Sequence, residues 1–292
     1  MLRILNMKIL VVSLSLLFLN NSFATSKAVY GSDDRREYHE VSASYQKLAD
    51  ATAGMIKRSS LKDRGDHFSF SLKKLGEQIM GNQFRNGYLC SDEKFYSQET
   101  LTTCSGFLIS KDTLLTAGHC VTGEAACKNY VWSFGLELSK VRSGELSKNE
   151  VYGCKRVIKR GMNPRDFALI KLDRPVLNIS PLKLSKKEVR VGDSVFSIGH
   201  PSNLPLKLAM SGKVKSKSEN SFKTDLDTFA GNSGSPVLLQ STNEVVGILV
   251  RGAEDYVKDL DRGCFVVNRC EDVGSGADCQ GESVTPVRDL LK

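Results

Sequence analysis

Two textures of apolar and polar residues divide the chain. At its start Arg3 and Lys8 precede a mostly apolar run, Ile9 to Leu19, and Asn20, Asn21, Ser22 and Ala24 follow as a polar stretch ending in small residues. This order builds a secretory signal peptide over residues 1–24. The apolar run is about ten residues, short of the roughly 20 that span a bilayer, and no later segment comes near that length, so no stable membrane insertion is expected. From Thr25 to Tyr88 the sequence is polar and mixed. Tyr45, Leu48, Ala49, Thr52 and Ile56 recur at helical spacing, and Phe68 to Ile79 repeats the pattern more weakly. Residues 25–88 are therefore expected as a partly helical region, either a propeptide or an N-terminal extension packed on a main domain at 89–292. The dibasic pairs Arg35-Arg36 and Lys57-Arg58 offer processing points.

From Cys90 onward the pattern changes to short apolar or alternating stretches separated by Gly, Asn, Asp and Ser. Candidate strands are Gly106 to Ile109, Leu114 to Ala117, Tyr130 to Leu136, Val151 to Ile158, Phe167 to Leu172, Ser194 to Ile198, Leu206 to Met210, Ser221 to Thr224, Pro236 to Leu239, Val245 to Val250 and Cys264 to Val267. Many short strands without intervening helices predict an all-β sandwich or barrel and disfavour a parallel sheet. The last segment, Thr285 to Leu291, reads as a short C-terminal helix with Thr285 as N-cap and Pro286 at its first position.

Composition narrows this picture. With 292 residues, 25% of them charged and only 7 Pro, the chain is neither disordered nor collagen-like nor a coiled coil. The net charge of +8 invites a nucleic-acid reading. The excess is dilute, however, and the clusters Lys155-Arg156-Lys159-Arg160 and Lys213-Lys215-Lys217 lack interleaved aromatics, so no nucleic-acid partner is expected. Signal-peptide removal also takes two of the basic residues, Arg3 and Lys8. Export to a secreted or periplasmic location makes the eight cysteines disulfide partners rather than metal ligands. A zinc site at Cys264, Cys270 and Cys279 would lack both paired spacing and a nearby histidine. Lone Trp132 is expected in the core, and His39 and His67 in solvated or local roles.

Three motifs carry chemistry, in the order His, Asp, Ser. In Leu115-Thr116-Ala117-Gly118-His119-Cys120 a strand-like run ends in a small-residue turn that presents His119. In Arg165-Asp166-Phe167 a carboxylate heads an apolar strand, where it can accept from one imidazole nitrogen and fix the tautomer, provided the fold brings it to His119. In Ala230-Gly231-Asn232-Ser233-Gly234-Ser235-Pro236 a serine sits between glycines, on a tight turn whose backbone N–H groups can face one oxyanion. Read singly, His119 is equally a satisfied core histidine, Asp166 a cap and the glycine loop a plain hairpin. There is no H-E-x-x-H and no nucleotide loop, so neither metal nor cofactor is expected.

Taken together these residues resemble the trypsin-like serine peptidases, whose triad runs His, Asp, Ser along the chain. Cys104-Ser105-Gly106-Phe107-Leu108-Ile109-Ser110 followed by Thr116-Ala117-Gly118-His119-Cys120 resembles the family's histidine loop. Val246 to Gly252 resembles the strand that pairs with substrate backbone. The resemblance implies a double six-stranded antiparallel β-barrel, catalysis by His119, Asp166 and Ser233, and an oxyanion hole from the N–H groups of Gly231 and Ser233. It further implies a substrate site with Asp227, Thr228, Val250 and Gly252, a Cys104–Cys120 disulfide, protein or peptide substrates, and a monomer. Cys127–Cys154 is the favoured second bridge; Cys90, Cys264, Cys270 and Cys279 are left unassigned. Gly231 to Pro236, Gly199-His200-Pro201 and Tyr30 to Arg35 bring the chain nearest to the bacterial glutamyl endopeptidases.

Two departures matter. Trypsin itself has an Asp before the nucleophile that pairs with a new N-terminus, whereas here Asn232 is neutral and no Ile-Val-Gly-Gly start precedes Cys104. Leu249 stands where glutamate-specific members use a His, although Thr228 is kept. Asp227, six residues before Ser233, points instead to a basic side chain before the cut bond, unless it is structural or neutralised by Arg251. The rival reading is a secreted homologue that binds proteins without cutting them.

Overall fold

The computed structural model describes residues 28–78, 87–252, 254–276, 279–288 and 290. The signal-peptide stretch 1–24 lies outside them. No helix among the described residues is long and apolar enough to cross a membrane.

Twelve short strands close into two six-stranded antiparallel barrels. Around the first run Tyr130–Phe134, Val151–Gly161, Phe167–Leu172, Thr113–Thr116, Cys104–Ser110 and Thr52–Lys57, the last pairing back to Tyr130–Phe134. Around the second run Ser194–Gly199, Pro236–Leu239, Val245–Arg251, Glu282–Pro286, Phe222–Thr224 and Lys207–Lys217, which returns to Ser194–Gly199. Alternation places the side chains. Ala168, Ile170 and Leu172 are buried while Leu169 and Lys171 are half-buried, and Val214 is buried where Lys213 is exposed. The basic clusters thus lie on outer faces; Lys215 is paired with Asp272 and Lys217 with Glu188. Trp132 is 1% exposed, in a core that continues from Phe107 and Leu114 of the first barrel to Phe196, Leu238 and Ile248 of the second.

All eight cysteines are bridged, as Cys90–Cys264, Cys104–Cys120, Cys127–Cys154 and Cys270–Cys279. Cys104–Cys120 clips the hairpin that delivers His119. Cys90–Cys264 ties the segment before the first barrel's hairpin to a small two-stranded sheet, Tyr256–Asp259 with Cys264–Val267.

Of the two readings of residues 25–88, the described residues fit an extension packed on the barrels, while the C-terminal helix is corrected. A helix, Ala43–Asp50, does form, but Thr52–Lys57 continues from it as a barrel strand with Ala53, Met55 and Ile56 buried. Upstream, Arg35–Glu37 adds an outer strand to Lys207–Lys217, and Val29–Tyr30 pairs with Arg269–Cys270. Both dibasic pairs therefore sit on or beside these strands, with Arg35 buried. The second helical pattern is instead a strand, His67–Phe70, and a single turn, Leu75–Glu77; Ile79 lies outside the described residues. At the other end, Thr285 and Pro286 close Glu282–Pro286, paired with Ile248 and Gly247. Backbone pairing takes the amide of Thr285 into the ladder, and a strand rather than a helix begins the segment.

Candidate active site

The strand Thr113–Thr116 ends in Ala117-Gly118, and the turn is possible only without a side chain at Gly118, where a Cβ would collide with the carbonyl oxygens of Gly161 and Phe167. Arg160 donates from Nε to the Gly118 carbonyl, 2.8 Å. The turn delivers His119 beside Asp166. That carboxylate is 4% exposed and fully engaged: Oδ1 accepts from the amides of Gly118 (2.6 Å) and His119 (3.1 Å), and Oδ2 meets His119 Nδ1 at 2.8 Å. A proton on Nδ1 leaves Nε2, on a half-buried ring, as the nitrogen able to take another. Asp166 thus fixes both the main chain and the tautomer of His119.

Ser233 comes from the second barrel. Gly231 and Gly234 hold φ of +95° and +91°, which only glycine adopts without strain, and a Cβ at Gly234 would meet Ser105 O and Thr116 Oγ1. The loop is stitched to the histidine hairpin: Ser105 N donates to Ser233 O (2.8 Å) and Ser105 Oγ to Gly231 O (2.8 Å), while Gly234 N reaches Leu249 O (2.7 Å). Among the described residues, neither the N–H groups of Gly231 and Ser233 nor Ser233 Oγ make a hydrogen bond, so His119 and Ser233 are neighbours through this stitching without a direct bond. Catalytic hydrogen bonds commonly tighten only when substrate arrives. Asn232 is buried, with Oδ1 toward Ser235 Oγ at 3.5 Å. Cys104, His119 and Cys120 cluster closely enough to suggest a metal, but both sulfurs are spent in a disulfide.

The four residues assigned to substrate fall differently. Val250 is buried in the core. Thr228 Oγ1 donates to Glu282, and Gly252 lies so close to the same carboxylate that a Cβ there would collide with it. Asp227 is corrected. It is 3% exposed, with Oδ1 accepting from Tyr30 N (2.8 Å) and Oδ2 from Asp34 N (2.9 Å), so it anchors the chain's own N-terminal segment rather than facing a substrate cation. Arg251 is exposed and does not reach it. Glu282, fully buried against Thr228 and Gly252, is a carboxylate that the sequence reading does not single out.

Burial pushes Asp227 up to about 7, with Asp34 and Asp33 adding in the same direction. Its folded form therefore holds a proton that the unfolded chain has lost above about pH 4, and this contribution to stability disappears as pH rises through 7. Asp227→Asn is expected to flatten urea-unfolding stability between pH 5 and 8, removing a decline on the order of 2–3 kcal/mol. An undiminished decline in the variant would assign the effect elsewhere.

Residues 104–248 match the trypsin-like peptidase domain. The chain is similar to the alpha-fibrinogenase albofibrase of Trimeresurus albolabris, 29% identical over 171 residues, 56% of this chain and 63% of that protein. It is also similar to the platelet-aggregating proteinase PA-BJ of Bothrops jararaca, 33% identical over 102 residues, 33% of this chain and 41% of that protein. The matches thus span less than two thirds of either relative. A solved Glu endopeptidase in complex with MPD aligns over 89% of this chain and 94% of its own, at 18% identity and a TM-score of 0.49. Residues 104–248 thus carry a trypsin-like peptidase domain.

Proposed function

We propose that the protein is an exported serine endopeptidase acting through His119, Asp166 and Ser233. The observation that carries this reading is His119, locked by Asp166 at 2.8 Å, beside a loop on which Ser233 Oγ and two backbone N–H groups are unengaged among the described residues. Ser233 Oγ attacks the scissile carbonyl carbon while its proton passes to His119 Nε2. The N–H groups of Gly231 and Ser233 stabilise the oxyanion, about 3–4 kcal/mol per donor in comparable sites. The tetrahedral intermediate collapses, the C–N bond breaks, and His119 gives its proton to the departing amine. Water then repeats the sequence on the acyl-enzyme, releasing the acid and restoring Ser233. Four disulfides support work in an oxidising compartment outside the cytoplasm.

For specificity, the carboxylate of Glu282 between Thr228 and Gly252 supports selection of a basic side chain before the cut bond. Cleavage-site profiling over a peptide library should show Lys or Arg enriched there, with at least tenfold loss in Glu282→Gln. Enrichment of Glu or apolar residues would refute the preference. The activity itself is tested by a serine-directed fluorophosphonate. Native protein is expected to be labelled at Ser233 and Ser233→Ala to be silent; an unlabelled native protein would favour a binding homologue.

A further inference from the structure

The loop leading into Ser233 is fastened residue by residue. Asp227 accepts the amides of Tyr30 and Asp34. Phe229 lies beneath the Arg35 guanidinium, 4.0 Å from ring centroid to Cζ, and against Tyr256, with centroids 5.5 Å apart. Ala230 N donates to Asp255 Oδ2 at 2.9 Å, and Ala230 O accepts from Ser202 N. Three of these fastenings come from residues 30–35, far upstream in sequence.

Arg35 is the unusual member. It is 2% exposed, deeper than an arginine normally goes. Its Nε and Nη2 bond to Asp33 at 2.9 and 2.5 Å, which fixes the plane of the guanidinium. Phe95 lies 5.1 Å away, besides Phe229. The backbone of Arg35 is fixed in turn, paired with Ala209 of the second barrel, and its carbonyl accepts from Lys94 Nζ at 2.6 Å. A buried ion pair is weak evidence of stability, since apolar residues of similar volume often serve as well. A rigid, charged plane on an aromatic ring does something else: it sets the position of that ring. Asn232, next to Ser233, carries no charge by which the loop could be held from within.

We infer that Arg35 is a positioning residue for the oxyanion site. By holding Phe229, while Tyr30 and Asp34 hold Asp227, the N-terminal segment keeps Gly231 and Ser233 in the conformation that leaves both N–H groups unengaged. This rests on the serine-peptidase reading. It makes residues 30–35 part of the catalytic architecture, because a misplaced oxyanion donor slows the chemical step more than it weakens substrate binding.

The test uses the full chain with Arg35→Met, Arg35→Lys and, as control, the exposed neighbour Arg36→Met. Peptide-ester hydrolysis is expected to show kcat lowered about 30- to 100-fold in Arg35→Met with KM within about twofold, and a smaller loss in Arg35→Lys. Hydrogen exchange of the peptide covering residues 227–234 should be at least tenfold faster in Arg35→Met, with exchange at Phe167–Leu172 unchanged. Arg36→Met should match wild type in both. If Arg35→Met folds poorly, Phe229→Leu, which removes the ring beneath the guanidinium, carries the same expectation. Wild-type loop exchange, or acceleration spread equally over both barrels, overturns the positioning role. An inert wild type whose loop exchange still responds to Arg35→Met overturns the peptidase reading alone.

Discussion

Ser233→Ala is expected to lower kcat/KM on a peptide substrate by about 10⁵- to 10⁶-fold while leaving thermal unfolding within a degree or two of wild type. The asymmetry follows from what Ser233 does in the fold. Its peptide is held by Ser105 N and the next residue's by Leu249 O, and both bonds survive the substitution. Its Oγ makes no hydrogen bond among the described residues, so removing it leaves no buried polar group unpaired. His119→Ala should fall nearly as far, and the double variant no further, because the two groups act as a unit. Asp166→Asn belongs to another class. Activity should drop about 10⁴-fold, and stability should fall too, since Asp166 also caps the amides of Gly118 and His119. Peptide hydrolysis alongside calorimetry separates the cases. A Ser233→Ala protein retaining more than about 1% of wild-type activity would sink the mechanism.

The three candidate motifs are legible because each is local: a turn too crowded for a side chain at Gly118, an Asp heading a strand, a serine between two glycines with positive φ. Phe167–Leu172, whose inward and outward positions alternate, is legible for the same reason and falls where the pattern puts it; Pro236–Leu239, buried throughout, is legible as a short apolar run between turn residues. Thr52–Lys57 escaped because five successive residues are buried, so no alternation survives, and its apolar positions extend the spacing of the helix before it. Glu282–Pro286 escapes because Thr285 followed by Pro286 reads as a helix start, while the pairing that decides the matter comes from Gly247 and Ile248, remote in sequence. Asp227 shows the limit most clearly. Its spacing from Ser233 suggested a substrate contact, but its partners, Tyr30 and Asp34, lie almost 200 residues upstream. Nothing near either segment announces the other.

A chain beginning at Leu89, the boundary that composition suggests, is expected not to fold at all. It would lack Thr52–Lys57 and open the first barrel, leaving Tyr130–Phe134 and Cys104–Ser110 each with an unpaired edge. Ala53, Met55 and Ile56 would vanish from the core, and with them Val29 and Leu75 from the cluster beneath Phe229. Each large apolar side chain lost from a core costs about 2–5 kcal/mol, against a total stability of about 5–15 kcal/mol for an ordinary domain. The second barrel would lose Arg35–Glu37, stranding Lys207, 2% exposed, without the Glu37 carboxylate 3.1 Å away and leaving Asp227 without its amides. Any one of these losses is survivable in isolation, but together they exceed what the remaining contacts supply. Circular dichroism and urea titration of the shortened chain should show no cooperative transition, and fluorophosphonate should not label it. A shortened chain that unfolds cooperatively at the full-length midpoint, and is labelled, would restore residues 25–88 as a removable leader and would require Tyr130–Phe134 to find another partner.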